Sequence, residues 1–303
     1  MRVGSGTFVP TLLAAMTSIQ DQIRRRFADL SPALQQIAKY LLDHPAEVVT
    51  TSMRSVGANA GATPATLVRF AQHLGFEGWP PLKAAFAADM GLGGQAYGAR
   101  AQRLISRAGD GGLTQEMFEV QRRNLEATQA QSAGTLERAC ALVEKAPAVH
   151  AAGFRACFPI AFAFVYQYRL FRPTVHLVDG QGGVLEMQQR AFAKGDVLLV
   201  ASFAPYSREA LQVAEAAKAA GCRIVALTDS AASPLSLLAQ ETLLFTIDSP
   251  SFFPSVAAGM ALAEALVELL ASRAGKGAVR RIDEAERRLL ETGAYLETPG
   301  RRR

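Results

Sequence analysis

Between residues 148 and 247 the chain repeats one pattern five times, a short apolar and largely β-branched run followed by a segment long enough to be a helix. The runs span 148–153, 174–178, 196–202, 222–228 and 242–247. Parallel neighbours cannot be joined by a tight turn and need a crossover, usually helical, so the alternation predicts a parallel sheet with right-handed connections. Most runs are apolar throughout rather than at every second position, as expected where helices cover both faces. This part of the chain reads as α/β, a five-stranded parallel sheet flanked by helices.

The chain ahead of it is different. From Ile19 to Ala88 apolar residues recur at helical spacing with no alternating run, which predicts an all-α domain. Ser31 suits an N-cap and Pro32 a first helical position, and the stripe Leu34, Ile37, Ala38, Leu41 and Leu42 ends at His44 and Pro45. A length of 303 residues accommodates two domains of roughly 100–200 residues each. Gly91, Gly93, Gly94, Gly98, Gly109, Gly111 and Gly112, interleaved with Arg100, Arg103 and Arg107, read as the connection. The expected organisation of this α/β multi-domain chain is a helical domain at 1–90, a linker at 91–112, a sheet domain at 113–275 that opens on a long helix over 114–145, and a last helix with a basic tail at 276–303.

Half the residues are hydrophobic and 19% are charged, which excludes a disordered chain. The net charge of +5 identifies no partner, because Arg301, Arg302 and Arg303 supply three of those charges. Cys140, Cys157 and Cys222 are odd in number and widely spaced, with neither disulfide nor zinc-ligand spacing, so a reducing, cytoplasmic setting is expected and no metal or cofactor. The weakly apolar stretch 8–16 contains Pro10 and does not read as a signal peptide. The stretch 256–271 carries Glu264 and Glu268 on one helical face and reads as amphipathic, so no membrane span is expected.

Residues 53–70 read as helix, glycine turn, helix. Val56 and Ala60 face inward from the first helix, and Leu67, Phe70, Ala71 and Leu74 from the second. Gly57 permits close approach, Gly61 suits a positive φ, Thr63 is a good N-cap and Pro64 a good first residue. With that stripe inside, Ala65, Thr66, Arg69, Gln72 and His73 are left outside. Arg pairs bidentately with guanine, Gln with adenine, and small methyl groups touch thymine, so this face suits the major groove of double-stranded DNA. Ser52 and Ser55, at the start of the first helix, suit backbone phosphates. The alternative is a helical hairpin that merely packs. Residues 1–90 hold eight basic and six acidic residues, a net of +2. Phosphate neutralisation supplies much of DNA affinity, so binding as a homodimer or homotetramer on a pseudo-palindromic operator is expected.

The sequence resembles the RpiR/MurR family of regulators, a helix-turn-helix domain followed by a sugar isomerase (SIS) domain. The resemblance rests on Leu30-Ser31-Pro32, Ile37-Ala38-Lys39-Tyr40-Leu41, His44-Pro45, Ala65-Thr66-Leu67-Val68-Arg69-Phe70, Leu74-Gly75-Phe76 and Trp79 with Leu82-Lys83. In the sheet domain it rests on Gly195-Asp196-Val197, Ser202-Phe203, Ser207-Arg208-Glu209, Ala226-Leu227-Thr228-Asp229-Ser230 and Ser233-Pro234-Leu235. The resemblance implies a transcription regulator whose SIS domain binds a small anionic metabolite, a sugar phosphate first. It also implies the strand order 2-1-3-4-5, with the ligand beyond the carboxyl ends of the strands where that order reverses.

There the loops after the first and third strands each open a helix whose N-terminal amides favour an anion. Gly153, Arg155, Cys157, Ser202, Tyr206 and Ser207 lie on these loops, and Thr228 and Ser230 follow the fourth strand. The chain departs from phosphosugar-binding relatives in carrying Arg155, Ala156 and Cys157 in place of small Gly and Ser residues, and Ala204-Pro205 in place of Ser-Gly. A carboxylate or other anion therefore remains open as the effector. Arg155 is either an anion clamp or one half of an ion pair, and Arg208 is expected to pair with Glu209 or a helix neighbour. Phe252 and Phe253, after the fifth strand, are either a lid, a dimer contact or core.

An isomerase is the alternative and would need a general base. His44 and His73 lie in the helical domain, and His150 and His176 inside strands where a core role is expected, which leaves Glu186 and Glu209. No catalytic residue is expected, and the chain reads as a regulator rather than an enzyme.

Overall fold

A computed structural model of the chain describes residues 18–89, 97–107, 109 and 111–296. The stretch 8–16, the glycines at 91, 93 and 94 and the arginine tail lie outside the described residues. The chain divides into two compact units, Met1–Gly93 and Gly94–Arg303.

The first unit is built from α1 (Ile19–Arg26), α2 (Pro32–Asp43), α3 (Pro45–Thr50), α4 (Met53–Asn59), α5 (Pro64–His73) and α6 (Trp79–Asp89). Its core joins Ile23, Ile37, Leu41, Val48, Val56, Leu67, Phe70, Leu82 and Phe86, all with 1% or less of their surface exposed. Burial of each such side chain contributes about 1.5–3 kcal/mol, which holds these short helices together. Ser31 occupies the cap position of α2 but its side chain makes no capping bond, whereas Ser52 and Thr63 cap α4 and α5 by accepting from the amides of Ser55 and Thr66.

The second unit begins inside the expected linker, where the glycine-rich composition hides α7 (Tyr97–Ser106). Then follow α8 (Leu113–Glu144), β1 (Val149–Gly153), α9 (Phe158–Tyr168), β2 (Val175–Val178), α10 (Leu185–Arg190), β3 (Val197–Ala201), α11 (Arg208–Ala219), β4 (Arg223–Thr228), β5 (Glu241–Leu244), α12 (Ala257–Ala274) and α13 (Lys276–Glu291). The strands are parallel in the order β2-β1-β3-β4-β5. Alternate residues of β3 serve opposite faces, Val197, Leu199 and Ala201 against α8, α9 and α12, and Leu198 and Val200 against α11. Two-sided burial explains the unbroken apolar runs.

The helix over 257–274 buries Leu262, Ala263, Leu266, Val267 and Leu270 and leaves Glu264 and Glu268 exposed, as amphipathic spacing demands. Among the described residues no helix is long and apolar enough to cross a membrane.

Along α8 a buried polar row, Asn124, Thr128 and Ser132, bonds to the backbone at Asp248, Thr246 and Leu244. These side chains satisfy backbone groups at the last residue of β5 and in the segment just after it, which would otherwise be orphaned.

Candidate DNA-reading face and effector crevice

In the first unit Gly57 of α4 lies so close to the turn before α5 that a β-carbon there would sit 2.7 Å from the carbonyl oxygen of Ala62, with Leu67 Cδ1 of α5 at 3.5 Å. Gly61 takes φ +66, the conformation that lets the chain reverse there. Leu67, Phe70, Ala71 and Leu74 are buried, and Ala65, Arg69, Gln72 and His73 are exposed. Thr66 is half-buried, its hydroxyl 2.8 Å from that of Thr63, and the hydroxyls of Ser52 and Ser55 are 2.9 Å apart. Arg69 has no ion pair or hydrogen bond among the described residues. Two residues of α1 fix the end of α5, as Gln22 donates to the carbonyl of Leu74 and Arg26 to that of His73, each at 3.0 Å. These positioning contacts span 52 and 47 residues, so no local pattern announces them.

In the second unit the strand order reverses between β1 and β3, and the loops after them meet. Gly153 ends β1 beneath the turn 155–157, where a β-carbon would lie 2.3 Å from the Cys157 carbonyl oxygen, so packing alone requires glycine here. Arg155 adopts φ +53 and reaches across to Glu209 at 3.1 Å, an ion pair between the two loops. Glu209 thus pairs with Arg155, not with the expected Arg208, which is exposed.

Ser207 caps α11, accepting from Ala210 N at 3.2 Å, and donates its hydroxyl to Glu209 Oε2 at 2.8 Å. Ser202 Oγ accepts the amide of Ser207 at 3.1 Å. Asp229 collects the hydroxyls of Tyr206 (2.9 Å) and Thr228 (3.2 Å) and the amide of Ala204 (3.3 Å). Burial, with the Asp229 carboxylate next to it, pushes the Tyr206 phenol far up and keeps it a neutral donor. Ser230 instead serves its own turn, its hydroxyl accepting from Ala232 N.

Cys157 is buried and its thiol is pushed up to about 12, mainly by burial, so it packs rather than acts as a nucleophile. The structure brings Gly153, Arg155, Cys157, Ser202, Tyr206, Ser207 and Thr228 to one end of the sheet.

A model of the helix-turn-helix domain of the rpiR family matches residues 17–91, and a model of the SIS domain matches residues 143–269. The chain belongs to the RpiR family of regulators. This regulator is 27% identical over 226 residues to the HTH-type transcriptional regulator HexR of Pseudomonas aeruginosa, covering 73% of this chain and 76% of HexR. Its fold is shared by the sugar isomerase domain of an RpiR transcription factor from Sphaerobacter thermophilus, at 21% identity and TM-score 0.55 over 58% of this chain and 99% of that one. NanR of Vibrio vulnificus, solved in complex with ManNAc-6P, matches at 19% identity and TM-score 0.54 over 91% of this chain and 99% of NanR.

The remaining titratable groups of this RpiR-family regulator sit elsewhere. His150 is buried against Asp196 at 3.2 Å near the amino ends of the strands, with Asp196 also accepting the amides of Ala148 and Ala193. His176, expected in the core, is exposed, because β2 is an edge strand, and its ring stacks on His150 at 5.4 Å. Desolvation, aided by neighbouring His150, lowers its pKa. Glu186 is tied to Arg190 at 2.8 Å.

Proposed function

We propose that this regulator binds a pseudo-palindromic operator as a homodimer or homotetramer in the cytoplasm, and that a small anion, a sugar phosphate first, alters that binding from the crevice at the β1/β3 switch point. The observation that carries the DNA reading is the outer face of α5, where Arg69 and Gln72 stand exposed above a fully buried stripe. Ser52, Ser55 and Thr63 would position the helices on phosphates, and Ala65, Thr66, Arg69, Gln72 and His73 would meet base edges. The phosphosugar reading is supported by the hydroxyls and Arg155 gathered beside the start of α11, and by the phosphosugar in NanR. A binding role rather than isomerisation is favoured by the absence of a histidine from the crevice loops, and both conceivable bases, Glu186 and Glu209, are ion-paired. Self-association is supported by Phe118 and Leu125, exposed two turns apart on α8, and by Val279 on α13.

Selection of duplexes from a random library by the full-length chain tests the first half. The expected product is a two-fold repeated half-site, and recovery of no preferred sequence overturns the reading. Sugar phosphates and carboxylic acids then enter a thermal-shift panel, where a true ligand raises the midpoint by mass action.

A route between the crevice and α7, the first helix of the second unit, runs through the loop after β5. Arg100 donates to the carbonyls of Ser249 and Ser251 at 3.1 and 3.0 Å, and Tyr97 packs on Phe253 at 5.0 Å. Phe253 in turn meets Phe203 of the loop after β3 at 6.4 Å. Arg100→Ala is expected to speed amide exchange in residues 97–106 and to blunt the response of DNA affinity to ligand. Unchanged exchange in that helix would remove this route.

A further inference from the structure

We propose that Glu209 is a built-in counter-ion of the crevice, holding the donors that an anionic effector requires, so that the effector binds by displacing its carboxylate from Arg155. The proposal rests on the effector reading above.

Arg155 is the only non-glycine residue with positive φ among the described residues. An L residue adopts that backbone at a cost, and such outliers persist where surrounding structure fixes them for a purpose. Here the guanidinium spans from the loop after β1 to the first turn of α11. On the far side Glu209 accepts from Arg155 through one oxygen and from the Ser207 hydroxyl through the other. Its own backbone amide, then the Ser207 hydroxyl and Arg155, hold the carboxyl below its ordinary range, so it stays charged.

One carboxylate therefore satisfies a helix N-terminus, a hydroxyl and a guanidinium, the set that would greet a ligand anion. The other acid at this rim, Asp229, is held by three donors of its own and lacks an arginine. Glu209 is half-exposed and has a flexible stem, so it can leave. A ligand carboxylate brings the same single charge as the group it displaces, and a neutral sugar brings none, whereas a phosphomonoester brings nearly two negative charges to the same donors.

The test is calorimetric titration of the full-length chain with a panel of sugar 6-phosphates and with inorganic phosphate. Wild type is compared with Glu209→Gln, Arg155→Ala and, as a charge control on the exposed face of α11, Glu215→Gln. Glu209→Gln is expected to tighten binding about three- to tenfold, Arg155→Ala to weaken it about tenfold or more, and Glu215→Gln to leave it unchanged. Melting midpoints of the variants report that each is folded. Equal or weaker binding by Glu209→Gln while wild type still binds overturns the counter-ion role alone. Failure of every phosphate to bind all four proteins overturns the effector reading, and this inference with it.

Discussion

Alanine at Arg69 is expected to weaken binding to a selected operator duplex by about 1–3 kcal/mol per recognition helix, and about twice that for a two-fold complex. The side chain is exposed on α5, four residues along the helix from Ala65 on the same outer face. Its removal leaves no cavity, because Leu67, Phe70 and Ala71 face the other way. The melting midpoint should therefore stay within a degree or two while fluorescence anisotropy records the loss. The salt dependence separates two roles for the guanidinium. A base contact leaves the slope of log affinity against log salt nearly unchanged and relaxes sequence preference at one position. A phosphate contact lowers that slope by about one and weakens all sequences alike. Unchanged affinity with a folded protein would remove α5 from the DNA interface.

The second large effect is expected at Gly153. Even alanine places a β-carbon 2.3 Å from the carbonyl oxygen and 2.9 Å from the carbonyl carbon of Cys157, with Ala161 Cβ at 3.1 Å. Two of those atoms are backbone, so the turn 155–157 must move. Overpacking of this kind costs about 1–3 kcal/mol, and more where backbone is forced aside. Gly153→Ala should lower the urea midpoint of the second unit and carry Arg155 away from Glu209, with loss of any response to effector. Operator binding by the first unit should survive, since the two units are separately cored. A normal midpoint with full effector response would show that the turn adapts at no cost.

Much of this was legible residue by residue. The period of the apolar pattern distinguishes α4 and α5 from the strands, because burial of one helical stripe and burial of both faces of a sheet leave different spacings. Gly61, Thr63 and Pro64 are local devices whose function depends on their own φ and on atoms a few residues away. The helix α7 was hidden because its neighbours are glycines, and what holds it is Arg100 bonding to carbonyls about 150 residues distant. His176 was misplaced for a similar reason. A strand run gives burial on average, and only the sheet order says which strand is at the edge.

By itself, then, the order of residues determined the helical and α/β character of the two parts and the outward face of the reading helix, which follow from short-range sterics, capping and hydrophobic periodicity. The sheet order was implied only by the family resemblance. Only the tertiary structure decided that Arg155 meets Glu209, that Asp229 gathers the donors of Tyr206, Thr228 and Ala204, and that Gln22 and Arg26 fix the end of α5. Polar partners of this kind are chosen by distance after the chain has folded. An arginine 54 residues away competes on equal terms with the one next door, and geometry alone picks the winner.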